Sequence, residues 1–260
     1  MSLACLSRHR LVSCVARALL ACSLAGVAAA EPLNVLVDIA PPFVVDNKGE
    51  ASGPYVEAFK QLAAARALPV KVVAMPGRRA LLHAQQNANT CVLALNYAPA
   101  TAEVLLYLGR VAPMYVWAFG RHDAALPVTG LADLKRYQVG SIDIAEVREV
   151  LDDAAVRYEA LAQPARGLTM LAAKRFDVLI GDIGQELAAE QQGLRIDRLF
   201  TVARVERWLA CHPGTAPATL AGLRQALREG LFAEAVRPVW ARYGLDGYFL
   251  QVRKEWRLKP

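Results

Sequence analysis

Residues 55–75 read YVEAFKQLAAARALPVKVVAM, and a change of periodicity inside that stretch decides the fold. Val56, Phe59, Leu62 and Ala63 recur at helical spacing through 55–67. VKVVAM at 70–75 is instead a short apolar run closed by Pro76-Gly77, the form of a buried strand. Working outward, LNVLVD at 33–38 is a similar strand, stopped by the prolines of PPF. RRALLHAQQ at 78–86 reads as a second helix and CVLALN at 91–96 as a third strand. Strand, helix, strand, helix, strand at this spacing requires parallel pairing, hence an α/β sheet.

The order returns after residue 113. MYVWAF (114–119) is a strand, LADLKRY (131–137) starts a short helix and YQVGS (137–141) is a strand. AEVREVLDDAA (145–155) and RGLTMLAAKR (166–175) are helices, DVLIG (177–181) a strand and QELAAEQQG (185–193) a helix. WLAC (208–211) is a last strand. The helix over 218–230 carries Leu220, Leu223, Leu227 and Leu231 on one face. A closing helix spans 232–244, with Pro238 kinking or dividing it, and 245–260 is an extended tail. The pattern predicts two α/β lobes, the second inserted into the first, with crossings near 113–117 and 205–209. Ligands of open α/β sheets sit at the carboxyl ends of the strands, so two facing lobes predict a cleft with a hinge.

The first thirty residues do not belong to that pattern. Arg8, Arg10 and Arg17 precede the apolar stretch ALLACSLAGV (18–27), and small residues lead to Ala30. These are the parts of a secretory signal peptide. The apolar stretch is about half of the ~20 residues of a membrane-spanning helix. Cys22 in LLAC is an alternative lipid-attachment site. Export as a soluble protein of 230 residues, Glu31 to Pro260, is expected. The leader holds three arginines and no acids, so the formal +6 of the whole chain becomes +3. With no clustered lysines and arginines, nucleic-acid binding is not expected. Cys91 and Cys211 remain after the leader, either as one disulfide or as two buried thiols.

No Gly-x-Ser-x-Gly elbow, phosphate loop or His-Glu-x-x-His is present, and His83, His122 and His212 have no metal-ligand spacing. Neither a cofactor, a metal nor an enzyme is expected. Asp182 follows the apolar run Val178–Gly181 at a strand end, where it either grips a cationic group or caps the next helix. Asp177, at the other end of the run, is expected to be only solvated.

Four stretches resemble the family-3 bacterial periplasmic solute-binding proteins, the amino-acid-binding class with the type II lobe topology. They are PPFVVDNKGEASGPYVEAF (41–59), MLAAKRFDVLIGDIG (170–184), WLACHPGTAPATLAGLRQAL (208–227) and FAEAVRPVWARYG (232–244). The resemblance covers 33–245 and implies lobe 1 over 31–115 and 208–260, and lobe 2 over 116–207. It implies a monomer that captures a small polar molecule between the lobes and delivers it to an ABC permease. A periplasmic sensor of the same fold is the alternative, and a dehydratase using Glu103 and Asp182 a more remote one.

In that family the acid at the position of Asp182 holds a ligand ammonium group. The family's Thr-x-Glu-Arg run appears here as TAEV: Thr101 and Glu103 are kept, but Val104 replaces the carboxylate-binding arginine. A subgroup, often encoded without transporter partners, carries an arginine at the place of Arg79; Arg110 is a second substitute. Ser141 is a candidate anion site at a helix start or a plain cap. Phe43, Tyr55, Tyr97 and Trp117 are candidate cleft walls, with core packing as the alternative. The topology sets the strand of Cys91 antiparallel to that of Cys211, so a bridge bracing lobe 1 near the hinge is expected if the Cα atoms lie within ~7 Å.

Overall fold

Branched and apolar runs form the strands, and 3.6-period stripes form the helices, in the alternation that the sequence predicts. The structure, a computed structural model, describes residues 31–47 and 50–256. The expected signal peptide over 1–30, with Cys22, lies outside the described residues.

The first part of the chain runs β1 (Leu33–Val37), β2 (Val45–Asn47), β3 (Glu50–Ser52), α1 (Pro54–Ala64), β4 (Val70–Ala74), α2 (Gly77–Gln86), β5 (Thr90–Asn96) and α3 (Pro99–Ala102). A long strand, β6 (Leu106–Arg121), leads to α4 (Leu131–Leu134), β7 (Val139–Ile142), α5 (Ala145–Asp153), β8 (Glu159–Leu161), α6 (Pro164–Ala172), β9 (Val178–Gly181) and α7 (Ile183–Gln191). A second long strand, β10 (Ile196–Cys211), returns, followed by α8 (Pro217–Ala226), α9 (Arg237–Arg242) and α10 (Asp246–Trp256).

Eight strands form one curled sheet in the order β4-β1-β5-β10-β6-β9-β7-β8. At one end β1 is parallel to β4 and β5; at the other β7 is parallel to β8 and β9. Between them β6 and β10 run antiparallel over nearly their whole length, with four shifts of register. β10 pairs β5 from Arg207 onward, and β6 pairs β9 only over Trp117–Gly120. Residues 113–116 and 203–206 therefore bond only to each other, a twisted two-stranded ribbon joining the two ends of the sheet. The fold class is the expected one, α/β with two sheet halves joined by two crossing strands.

Pro54 opens α1 from the first helical turn, where its missing N–H costs nothing. Gly53 before it has φ +111°, and a Cβ there would lie 2.5 Å from the Phe43 carbonyl oxygen, so only glycine fits. Leu220, Leu223, Leu227 and Leu231 are all buried, but the helix expected over 218–230 stops at Ala226, with Leu227 as its C-cap and Leu231 in a 3-10 turn. They join the main core, whose centre is Trp240: its ring stacks on Phe232 at 4.2 Å, and its indole N–H donates to the Leu231 carbonyl at 2.8 Å. A separate cluster around Val116, Leu134, Val147, Leu151 and Ile180 fills the other half.

Three expectations change. Pro238 neither kinks nor divides a helix over 232–244; it starts α9, and two 3-10 turns precede it at Gly230–Phe232 and Glu234–Val236. The expected extended tail is helical over Asp246–Trp256, because Tyr248, Phe249 and Val252 share a buried face. Short β8 and the β2–β3 hairpin were too brief for periodicity to register. The aromatic run 114–119 and WLAC are pieces of the two long strands rather than separate ones.

Cys91 and Cys211 are direct cross-strand partners, with Cα atoms 3.9 Å apart, and form a disulfide. It does not lie near the hinge. It ties the start of β5 to the end of β10, five residues beyond the ribbon at Glu206, about 17 Å at strand rise.

Candidate functional site

The carboxyl ends of β1, β5 and β9 all point toward the ribbon, and there the two sheet halves touch. β1 runs into the Pro41–Phe43 turn, closed by an Ala40–Val44 bridge. This turn lies over the start of α7: a Cβ on Gly184 would be 3.2 Å from the Pro41 carbonyl oxygen. At the end of β5, Asn96 Nδ2 donates to Glu146 Oε2 at 3.0 Å, and Glu146 sits in the first turn of α5. This bond joins the β1–β5 half to the β7–β9 half.

Asp182 ends β9 and caps α7, its Oδ1 accepting from the Gly184 N–H at 2.9 Å. The residue keeps some exposed surface, but its carboxylate is hemmed in, and burial pushes its pKa above the ordinary 3.8. The Gly184 amide and the Arg207 guanidinium oppose that rise without cancelling it. The capping role of Asp182 is present, and the same carboxylate lies in the field of Arg207. A carboxyl raised in the fold binds its proton more tightly there than in the unfolded chain. Its favourable share of stability is thus complete below pH 3.8 and is lost as pH rises through the folded value. Asp182→Asn keeps a capping oxygen and removes the charge. It is expected to melt higher than the unmodified chain at pH 7, with the gap closing below pH 3.8, as read by calorimetry.

Arg207 is the residue that sequence reasoning missed. It is the first β10 residue to pair with β5, opposite Asn96. Its guanidinium donates to Asn96 Oδ1 and, at 3.0 Å, to the Met114 sulfur. Its charge acts on both Asp182 and Tyr55. Tyr55, at the start of α1, is 4% exposed, and its hydroxyl has no hydrogen-bond partner among the described residues. Burial holds the phenol far above its usual pKa, with Arg207 lowering and Asp182 raising it. Acid, guanidinium and unpartnered hydroxyl thus share one field beside the ribbon. The available signal was an arginine within the second expected crossing, 205–209, next to a strand end.

The other candidates are placed elsewhere. Arg79 is exposed on α2 and has no ion pair among the described residues. Glu103 is exposed at the end of α3, beside exposed Val104, and nothing brings it to Asp182. Thr101 is buried in α3 and lies by the Tyr107 hydroxyl. Ser141 is fully buried and donates to the Ile142 carbonyl at 3.1 Å, so its hydroxyl is already used. Phe43 stacks on Tyr55 at 4.7 Å inside the main core. Trp117 is core too, under the Arg198 guanidinium at 4.0 Å. Tyr97 is 54% exposed next to Asn96, packed on Tyr107 and Trp208, and remains a wall candidate. Arg110 approaches Glu206 at 3.8 Å, away from Asp182. Asp177 is not merely solvated: it accepts from the Gln138 N–H at 2.9 Å, pinning the start of β7. Among the described residues no three His, Cys, Asp or Glu side chains gather as for a metal, and no helix is long and apolar enough to cross a membrane.

Solved structures share this arrangement of strands and ribbon. The ligand-binding core of GluR0, in complex with L-glutamate, matches with a TM-score of 0.68 and 13% identity, over 83% of this chain and 99% of that one. A probable amino-acid ABC transporter extracellular-binding protein from Bacillus subtilis matches with 0.68 and 15%, over 83% and 99%. The fold is that of the type II periplasmic binding proteins. A histidine kinase sensor domain with similarity to periplasmic binding proteins also has it, at 0.62 and 17%, over 87% and 96%. No protein-family model matches the chain. No curated protein matches it in sequence. Within this fold, Asn96 and Glu146 join the two sheet halves, and Asp182 and Arg207 lie beside them, with the core residue Tyr55 in their field.

Proposed function

We propose that the chain is a periplasmic solute-binding protein whose halves, 31–115 with 208–260 and 116–207, close on a small polar molecule. The observation that carries this reading is that Asp182, Arg207 and the Tyr55 hydroxyl, which has no partner among the described residues, act on one another's charge beside the ribbon. The opposite charges suit a ligand with a cationic and an anionic end, such as an amino acid or a related organic zwitterion. Asp182 takes the ammonium. Arg207 takes the carboxylate in place of the arginine that Val104 displaced, as a planar fork that matches two oxygens. Tyr55 donates to the same end. The Asn96–Glu146 bond then latches the halves over the ligand. Closure follows because the ligand binds the closed form better than the open one. Delivery to an ABC permease is part of this reading, with the transporter-associated fold neighbours in its support.

A sensor role is the second reading. It is favoured by Arg207 being already engaged with Asn96 and the Met114 sulfur. A thermal-shift screen of amino acids, polyamines and organic acids separates the two, since a ligand of the folded state raises Tm by mass action. Solute capture predicts at least one amino-acid-like hit that disappears in Asp182→Ala. A panel without hits overturns it and leaves the sensor. Loss of a hit compound over hours would instead make the protein an enzyme.

A further inference from the structure

Outside the contact between the halves, the structure holds a groove of about 440 Å³ between the start of β6, the end of α8 and α10. That volume falls in the range of small-molecule pockets, roughly 300–1,000 Å³. Its floor is apolar: Leu108, Leu227, Phe232 and the Trp256 indole. Its rim carries four arginines, Arg110, Arg224, Arg228 and Arg253, and one acid, Glu229. Arg224 and Arg228 line it without an ion-pair partner among the described residues. Arg110 also lines it, and the one acid it reaches, Glu206, is held more closely by Arg204, at 2.6 Å against 3.8 Å. The fourth arginine, Arg253, is already neutralised by Glu234 at 3.3 Å and Glu229 at 3.7 Å, and it bonds the Phe232 carbonyl. Three guanidinia thus surround an apolar floor with too little acid to balance them.

We propose that this groove is a second ligand site, for a small amphipathic anion. A carboxylate, sulfonate or phosphate head sits among Arg110, Arg224 and Arg228, and a flat apolar body lies on Leu227, Phe232 and Trp256. Guanidinium forks favour such oxyanion heads over neutral ones, and an indole beside an apolar floor favours an aromatic body. None of these residues belongs to the Asp182–Arg207 centre, so the two sites bind independently.

The test titrates the full chain with 1-anilinonaphthalene-8-sulfonate, followed by fluorescence and by calorimetry. One saturable site is expected, displaced by naphthalene-1-sulfonate and not by the cation 1-naphthylmethylamine. The exposed pair Arg224→Glu and Arg228→Glu, with its fold checked by circular dichroism, is expected to weaken binding about tenfold or more. Asp182→Ala is expected to leave it unchanged. Binding that does not saturate, that survives the double charge reversal, or that is lost in Asp182→Ala overturns the proposal.

Discussion

Arg207→Met is expected to weaken the proposed capture of an amino-acid-like solute thirtyfold or more while leaving the fold intact. Methionine matches the length of the arginine stem and adds a thioether beside Met114, so packing along β10 is kept. The guanidinium is lost, and with it a cation that acts on both Asp182 and Tyr55. Removing one member of a buried, hydrogen-bonded charge pair at an interface costs about 2–5 kcal/mol. Each 1.4 kcal/mol is about tenfold in Kd. Calorimetric titration with the best thermal-shift hit reads the loss. An unchanged Kd would mean that the ligand's anionic end lies elsewhere.

Removing the Cys91–Cys211 bridge produces the largest expected loss of stability. The two cysteines are 120 residues apart in sequence. The chain-entropy treatment of so long a loop gives about 4–5 kcal/mol. For a chain of this size that lowers Tm by roughly ten degrees or more. Both positions are fully buried, so the double variant Cys91→Ala, Cys211→Ala also leaves small cavities that add to the loss. The bridge stands at the other end of β5 from Asn96, four residues along β10 from Arg207, so solute affinity at 25 °C is expected to persist in the folded fraction. A fall of a degree or two would show that the paired strands alone fix this end of the sheet.

Much of this architecture was legible because its signals are local. A helical stripe such as Val56, Phe59, Leu62, or the apolar run Val178–Gly181, reports its own burial through spacing alone. The cross-strand disulfide was legible for a related reason: antiparallel topology sets the start of one strand beside the end of another. Its distance from the hinge was not, because the long strands were read in fragments. The helix Asp246–Trp256 was hidden by Gly244 and Gly247, and its buried face is visible only against Phe232 and Trp240.

The site was less legible. Asp182 stood out because a charged residue ends an apolar run. Arg207 did not, because its neighbours Glu206 and Trp208 make it look like one more surface position on a strand. What distinguishes it is Asn96 on the adjacent strand and Asp182 across the halves, and neither relation is written in local sequence. Ser141 and Phe43 misled in the opposite way: their positions at strand ends were right, but a backbone carbonyl and an aromatic core already occupied them.

Asp182 is desolvated at the end of β9, in the field of Arg207. Titration of the Asp182 side-chain carboxyl by carbon-13 NMR, in the unmodified chain and in Arg207→Met, tests it most directly. A midpoint above 3.8 in the unmodified chain and a further rise in the variant are expected. A midpoint at or below 3.8 that does not move when Arg207 is replaced would contradict it.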